Sequence, residues 1–159
     1  MFVDSSGELW IGTDSDGVNR FVASEDRFDS IRHNGANHRG LNDDHVSALF
    51  EDRGGVIWIG TQVGVNSWNP ILSAFATYGT PADSHGGLSN NWISSFAESP
   101  DGDVFIGSAG GGVNRLDFDS GEIVSVGPAE GPGSLKDPRV FALAVSAAGE
   151  LWAGTRAGV

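Results

Sequence analysis

The sequence has no cysteine among its 159 residues, and it has only nine lysine and arginine residues against 21 aspartate and glutamate residues. Without cysteine there is neither a disulfide framework nor a cysteine-based zinc site. The formal net charge of −12 excludes the basic footprint that non-specific nucleic-acid binding needs, and it disfavours anionic membrane surfaces. We therefore expect no nucleic-acid partner and interpret the acidity as a contribution to solubility.

Long hydrophobic runs are also missing. No stretch approaches the roughly 18 apolar residues of a membrane-spanning helix, so we expect no membrane insertion of this segment. The first residues, Met1 to Ser5, have neither the basic region nor the apolar core of a signal peptide. No window has helical periodicity of useful length, which leaves β-structure as the expectation.

What the sequence does have is glycine, with 24 residues that recur at fixed positions. The run from Val56 to Thr61 is apolar, β-branched and aromatic, and it stops at Gly60 and a threonine. Gly60 has counterparts in Gly12, Gly107 and Gly154, and the intervals between the four are 48, 47 and 47 residues. A fixed period of this size indicates a repeat architecture.

Each repeat contains a glycine turn between two β runs, followed by two further β runs and a long polar connector. Four antiparallel strands per repeat are typical of propeller blades. We therefore predict an all-β β-propeller of four-stranded antiparallel blades, about three blades plus the start of a fourth. The blade units of this single segment, 1–159, are expected at about 1–40, 41–87, 88–134 and, in part, 135–159.

The run from Glu51 to Asn66 resembles the two-component regulator propeller repeat, and the pattern recurs from Trp10 to Phe21 and from Gly107 to Leu116. The segments Leu41–Val46 and Leu88–Ile93 resemble that family's approach to the innermost strand. The resemblance implies a periplasmic or extracytoplasmic sensor domain of bacterial hybrid two-component or diguanylate cyclase regulators. It further implies binding of a small molecule or oligosaccharide, no enzymatic role and no cofactor.

The predicted number of blades is smaller than the four to eight that closed propellers typically have. The chain is therefore expected to be either a fragment or a unit that completes its ring by self-association through open blade edges. The hairpin from Val140 to Thr155 could also replace the short first strand, Met1 to Asp4, either within the chain or by a strand swap between chains. Because the same part of the repeat stands at both ends, the fragment is the favoured alternative.

Candidate ligand-binding residues lie just before each innermost strand, where the chemistry differs from blade to blade. Loops on a rigid scaffold are where binding residues gather, and a mixture of amides, charges and an aromatic ring suits polyol or sugar recognition. A plain surface loop is the alternative. The predicted ligand-binding residues are Asn42, Asp44, His45, Asn90, Asn91, Trp92, Lys136 and Arg139.

The other conspicuous residues are expected to be scaffold. The aromatic residues Trp10, Trp58, Phe105 and Trp152 share one repeat position, which predicts packing between blades rather than a sugar platform. Carboxylate pairs such as Glu51-Asp52 fall at turns.

Catalytic and metal-binding patterns are weak. No nucleophile elbow, catalytic triad or phosphate loop is present in the sequence, and no metal site is expected from four dispersed histidines, His33, His38, His45 and His85. An enzymatic alternative is a streptogramin-lyase-like propeller, which would need a catalytic His45 or His85. A third alternative is a structural propeller fragment without a ligand.

Overall fold

Short β-branched and aromatic runs separated by glycine turns produce the strands of this protein. The computed structural model describes residues 1–35, 40–72, 74–80, 87–117, 120–126 and 134–159, and within these ranges it contains fourteen strands. No helix in the described part of the chain is long and apolar enough to cross a membrane.

The strands form three four-stranded sheets, which we call blades 1 to 3, and a two-stranded sheet, which we call the terminal hairpin. Blade 1 contains β1 (Phe2–Val3), β2 (Leu9–Gly12), β3 (Val18–Val22) and β4 (Arg27–Ile31). Blade 2 contains β5 (Val46–Glu51), β6 (Ile57–Thr61), β7 (Val65–Asn69) and β8 (Ala74–Tyr78). Blade 3 contains β9 (Ile93–Glu98), β10 (Val104–Ser108), β11 (Gly112–Leu116) and β12 (Ile123–Val126). The terminal hairpin contains β13 (Val140–Val145) and β14 (Leu151–Thr155).

All strand pairs in the blades are antiparallel neighbours in sequence, so each blade is a meander. The turn between the first two strands of each unit uses a glycine with positive φ, such as Gly55 at 77° and Gly149 at 85°. The innermost strands of neighbouring units are joined directly. The hydroxyl of Ser94 donates to the carbonyl of Val140 at 2.7 Å, and Ser47 makes the equivalent bond to the carbonyl of Ile93.

The turn carboxylates hold the repeated tryptophans. Asp4 accepts a hydrogen bond from Trp10 Nε1, and Asp52 accepts one from Trp58 Nε1, both at 2.7 Å. Asp52 also accepts the backbone N–H of Val56 at 2.9 Å. Each aspartate therefore closes its turn and fixes the ring that packs between blades, which is a structural role.

The core lies between blades. We call the face that a blade turns toward the next unit its front face, and the opposite one its back face. Between blades 1 and 2, Trp10 on the front face packs with Ile57 and Ile59 on the back face. Between blades 2 and 3, Trp58 packs with Val104 and Ile106. Burial of these large side chains is the main stabilising contribution at both interfaces.

The predicted propeller fold is confirmed, and the units form an open arc rather than a closed ring. The alternative in which the terminal hairpin replaces the first strand within the chain is wrong, because β1 pairs with β2 and the hairpin forms its own sheet against blade 3. The strand swap between chains stays a prediction. The expected burial of the repeated aromatic residues holds for Trp10 and Trp58, each 2% exposed. It fails for Trp152, which is 54% exposed because no described sheet covers the front face of the terminal hairpin.

Candidate functional site

Four residues precede each innermost strand from β5 onward, and we call these lead-in segments: residues 42–45, 89–92 and 136–139. Each follows a leucine of the polar connector. Leu41 and Leu88 are 2% and 1% exposed, and Leu135 is half-buried. These leucines anchor the segments on the scaffold, so the four positions can be compared between repeats.

The first lead-in position is occupied by Asn42, Ser89 and Lys136. Asn42 is part of the scaffold: its backbone N–H donates to Asn66 Oδ1 at 3.0 Å, and its own Oδ1 accepts from Asn66 Nδ2 at 2.6 Å. Asn66 is fully buried. Ser89 binds the blade in the same way, donating from its N–H to Asn114 Oδ1 at 2.9 Å. Lys136 is exposed.

The second lead-in position always carries an aspartate or asparagine, whose side-chain oxygen accepts the backbone N–H two residues later. The bonds run from His45 to Asp43 at 2.7 Å, from Trp92 to Asn90 at 2.8 Å and from Arg139 to Asp137 at 2.9 Å. This local turn orients the fourth position. The sequence prediction included Asn90 and missed its equivalents Asp43 and Asp137, although their common spacing was visible.

In the first two lead-in segments the third position binds the chain that leaves the preceding blade, and in the last segment this position is Pro138. Asp44 Oδ1 accepts the N–H of His33 at 2.6 Å. Asn91 Oδ1 accepts the N–H of Thr80 at 2.8 Å, and its Nδ2 donates to Thr80 Oγ1 at 3.1 Å. Both side chains tie residues that are eleven positions apart, so they contribute to the scaffold.

The fourth position remains open to solvent. The side chains of His45 and Arg139 are 47% and 44% exposed, and Trp92 is 53% exposed. We call His45, Trp92 and Arg139 the rim residues. They occupy equivalent places in three successive repeats, yet they are an imidazole, an indole and a guanidinium.

The backbone places two rim residues on either side of one loop residue. Ala109, in the loop after β10, donates its N–H to the carbonyl of Trp92 at 2.9 Å. Ala109 also pairs with Arg139 in an antiparallel bridge. Trp92 and Arg139 therefore flank the same loop, whereas His45 belongs to the preceding repeat.

Arg139 is held in place by Asp137. Its Nε and Nη2 donate to the two carboxylate oxygens at 2.8 Å and 2.7 Å. The hydrogen bond from the Arg139 side chain, with its backbone N–H and the charges of Arg139 and Arg156, lowers the pKa of Asp137 to about 2. Asp137 in turn raises the pKa of Arg139. Arg156, on the next loop, is a nearby exposed cation that the sequence prediction missed.

The histidines do not converge on a metal site in the part of the chain that the structure describes, where no group of three or more histidine, aspartate or glutamate side chains could hold a metal ion. His33 Nδ1 lies 2.8 Å from the carbonyl oxygen of Leu41, and His45 Nδ1 lies 3.1 Å from Asp43 Oδ1. His38 and His85 lie outside the described residues.

Solved structures share this fold. The chain superposes on an extracellular domain assigned to a hybrid two-component system of B. thetaiotaomicron with a TM-score of 0.75 and 20% identity, over 93% of this chain and 19% of that chain. A second such domain, assigned to a one-component system of B. thetaiotaomicron, gives 0.57 and 18%, over 97% and 27%. Virginiamycin B lyase from Staphylococcus aureus gives 0.69 and 14%, over 99% and 52%. At such identities the likeness shows the fold.

Sequence comparison identifies one repeat directly. Residues 40–62 match the family model of the two component regulator propeller, which covers the lead-in of blade 2 and strands β5 and β6. No curated protein sequence matches the chain. The chain spans about a fifth and about a quarter of the two extracellular-domain chains on which it superposes. The predicted resemblance to the two-component regulator propeller repeat is thus confirmed for this repeat, on a fold that is shared along the chain.

Proposed function

We propose that this chain is a non-enzymatic ligand-binding segment of a sensor in bacterial signal transduction, located outside the cytoplasm in its parent protein. The family match of residues 40–62 and the likeness to extracellular domains of a hybrid two-component system and a one-component system support this proposal. The ligand is a small molecule or an oligosaccharide that contacts the rim residues.

One observation carries the proposal. Among the predicted site residues, Asn42, Asp44, Asn90 and Asn91 each bind the scaffold through a side-chain oxygen. The fourth position is exposed in all three lead-in segments. A scaffold that fixes a backbone position and varies its exposed side chain is the arrangement of a binding surface. The fixed turn at the second position also reduces the ordering cost of binding.

The chemistry of two rim residues suits a saccharide. The exposed indole of Trp92 offers an apolar face against which the C–H groups of a sugar ring can pack. Arg139 is oriented by Asp137 through Nε and Nη2, and its exposed guanidinium retains further N–H donors for hydroxyl or carboxylate oxygens. Their backbones both pair with Ala109, which supports a ligand shared by the two side chains.

A glycan-array screen followed by calorimetric titration tests the proposal. We expect a saturable ligand whose affinity falls at least about tenfold, or about 1.4 kcal/mol, in Trp92→Ala. Trp152→Ala is the matched control, because Trp152 is exposed to the same extent, 54% against 53%, but lies on the terminal hairpin. A blank array, or equal affinity in Trp92→Ala, would count against ligand sensing at the rim.

The likeness to virginiamycin B lyase supports a second candidate, a lyase-type propeller enzyme. His45, exposed and beside Asp43, would then be a catalytic group. Turnover of a streptogramin that disappears in His45→Ala would favour this candidate. The sensor proposal expects no turnover in either protein.

A further inference from the structure

Positive charge is scarce on this chain, and most of it is paired. Nine lysine and arginine residues stand against 21 aspartate and glutamate residues. Arg156 is exposed and forms no ion pair within the described part of the chain. An exposed guanidinium without a carboxylate partner is available to an anionic ligand. The arginines that do pair with a carboxylate are Arg20, Arg27, Arg32, Arg53, Arg115 and Arg139.

Arg156 lies beside the rim residue Arg139. Its backbone N–H donates to the carbonyl of Arg139 at 3.3 Å. Its charge also contributes to the lowered pKa of Asp137, the carboxylate that holds Arg139. Two guanidinium groups and one carboxylate therefore share this part of the rim. Together they have a net positive charge, on a chain whose formal net charge is −12.

The exposure of both arginines follows from their positions in the repeat. Arg139 occupies the fourth lead-in position, where His45 and Trp92 are exposed as well. Arg156 is the first residue of the loop after β14, and its equivalent in the loop after β6 is Gln62. Gln62 is exposed although blade 2 packs against both blade 1 and blade 3. Neighbouring units therefore leave both positions open.

The loop after β10 has very small side chains. It consists of Ala109, Gly110 and Gly111, and the equivalent loop of blade 2 begins with the exposed residues Gln62 and Val63. No long side chain in the loop after β10 therefore occupies the surface above its backbone. We call these three residues the rim floor.

The rim floor lies between Trp92 and Arg139 in a row of backbone segments. Ala109 donates its N–H to the carbonyl of Trp92 at 2.9 Å and pairs on its other side with Arg139. Arg156 follows Arg139 in the same row. Two strand spacings, roughly 10 Å, thus separate the backbone of Trp92 from that of Arg139.

The guanidinium of Arg139 retains an edge that suits a carboxylate. Its Nε and one N–H of Nη2 donate to Asp137, and no described group accepts a hydrogen bond from Nη1. Nη1 and the remaining N–H of Nη2 form the end of the planar fork, which can bind both oxygens of one carboxylate. Because Asp137 already orients the group, less entropy is lost when a ligand binds.

We infer that the ligand is an acidic saccharide, whose ring packs on Trp92 while its carboxylate binds Arg139 and Arg156 across the rim floor. This inference rests on the proposed function and names the chemical class of its ligand. A uronic acid carries its carboxylate directly on the sugar ring, so it combines an apolar face for the indole with a planar anion for the arginines.

The charges along the rim orient such a ligand. In blade 1 the equivalent of Arg156 is Asp14, which is exposed and forms no ion pair with a described residue. His45, the rim residue of blade 2, lies beside Asp43. A carboxylate is therefore repelled near blade 1 and attracted toward the terminal hairpin.

A glycan array with matched sets tests the inference. One set contains uronate oligosaccharides, a second contains the same oligosaccharides with each carboxylate reduced to an alcohol, and a third contains neutral and sulfated oligosaccharides. We expect hits among the uronates that disappear on reduction of the carboxylate. Hits that are only neutral or only sulfated would overturn the inference and leave the proposed function standing, whereas a blank array would contradict both.

Calorimetric titration with the strongest uronate hit then tests the residues. Arg139→Gln and Arg156→Gln should each lower the affinity about tenfold, and Arg156→Gln does so without removing any ion pair from the fold. Arg115→Gln is the matched control, because it changes the net charge equally and its side chain is 45% exposed against 44% for Arg139. It should bind like wild type.

A steric variant tests the rim floor. Ala109→Gln introduces the side chain that blade 2 carries at the equivalent position, and it should weaken uronate binding because it fills the space between the two contacts. Unchanged affinity in Arg139→Gln and Arg156→Gln would overturn the arginine contacts, even if Trp92→Ala still weakened binding. Unchanged affinity in Ala109→Gln would overturn the position of the ligand over the rim floor.

Discussion

Trp92 and Trp152 are exposed to nearly the same extent, 53% and 54%, but they stand in different surroundings. Trp92 projects from a lead-in segment whose neighbours are hydrogen-bonded to the scaffold, and its equivalents His45 and Arg139 are exposed too. Trp152 occupies a position whose equivalents Trp10 and Trp58 are buried between blades. Exposure at the rim is therefore a property of the repeat, whereas exposure on the terminal hairpin is specific to one unit.

The position of a side chain in the repeat therefore indicates its role better than its solvent exposure alone. A side chain exposed in every repeat is available without disturbing the packing of any unit. A side chain exposed in only one repeat marks a face that the other units cover. The predictions below test this distinction by changing one member of an equivalent pair at a time.

The largest effect is expected from truncating a buried tryptophan. Trp58→Ala should reduce the free energy of unfolding by about 3–5 kcal/mol, because it opens a cavity between blades 2 and 3 and leaves Asp52 without its indole donor. Trp152→Ala should change it by less than about 1 kcal/mol. Urea denaturation measures both, and equal losses would contradict the assignment of Trp152 to an exposed face of the terminal hairpin.

A smaller effect is expected at the first lead-in position. Asn42→Ala removes the acceptor of both Asn66 Nδ2 and Thr61 Oγ1 in a buried network, and should cost about 1–3 kcal/mol. Lys136→Ala, at the same position of the terminal hairpin, should change stability by no more than about 0.5 kcal/mol. Thermal denaturation of the two variants gives the comparison. An Asn42→Ala protein with unchanged stability and weakened ligand binding would instead identify Asn42 as a ligand contact.

The smallest effect is expected from pH. The pKa of Asp137 is lowered to about 2, so its pairing with Arg139 stabilises the fold above the pKa of an unfolded aspartate, about 3.9, and this stabilisation is lost as the pH falls toward 2. Asp137→Asn should therefore melt below wild type at neutral pH, with a difference that narrows in acid. A difference that stays constant from about pH 6 to about pH 2 would contradict an ionised Asp137–Arg139 pair.

Much of the fold could be predicted because the repeat is visible in the chain itself. The intervals between Gly12, Gly60, Gly107 and Gly154 reveal the period, and the glycine turns place the strands on either side. Turn conformation and strand alternation are local properties, so a single sequence contains them. The uncovered front face of the terminal hairpin is not local, because burial of Trp152 depends on a neighbouring sheet and not on its own strand.

The candidate site could be predicted only in part for a related reason. The lead-in segments were identified, but Asn42 and Asn91 proved to bind residues 24 and 11 positions away, Asn66 and Thr80. Such partners depend on how strands and connectors come together in space. The same holds for Arg156, which reaches the Asp137 carboxylate electrostatically from a separate loop.

The most direct test of the distinction between the two exposed tryptophans is calorimetric titration of Trp92→Ala and Trp152→Ala with a saccharide that the glycan array identifies. We predict that Trp92→Ala loses affinity at least about tenfold and that Trp152→Ala keeps the affinity of wild type. Equal affinities of the two variants, or an affinity lost only in Trp152→Ala, would contradict the account.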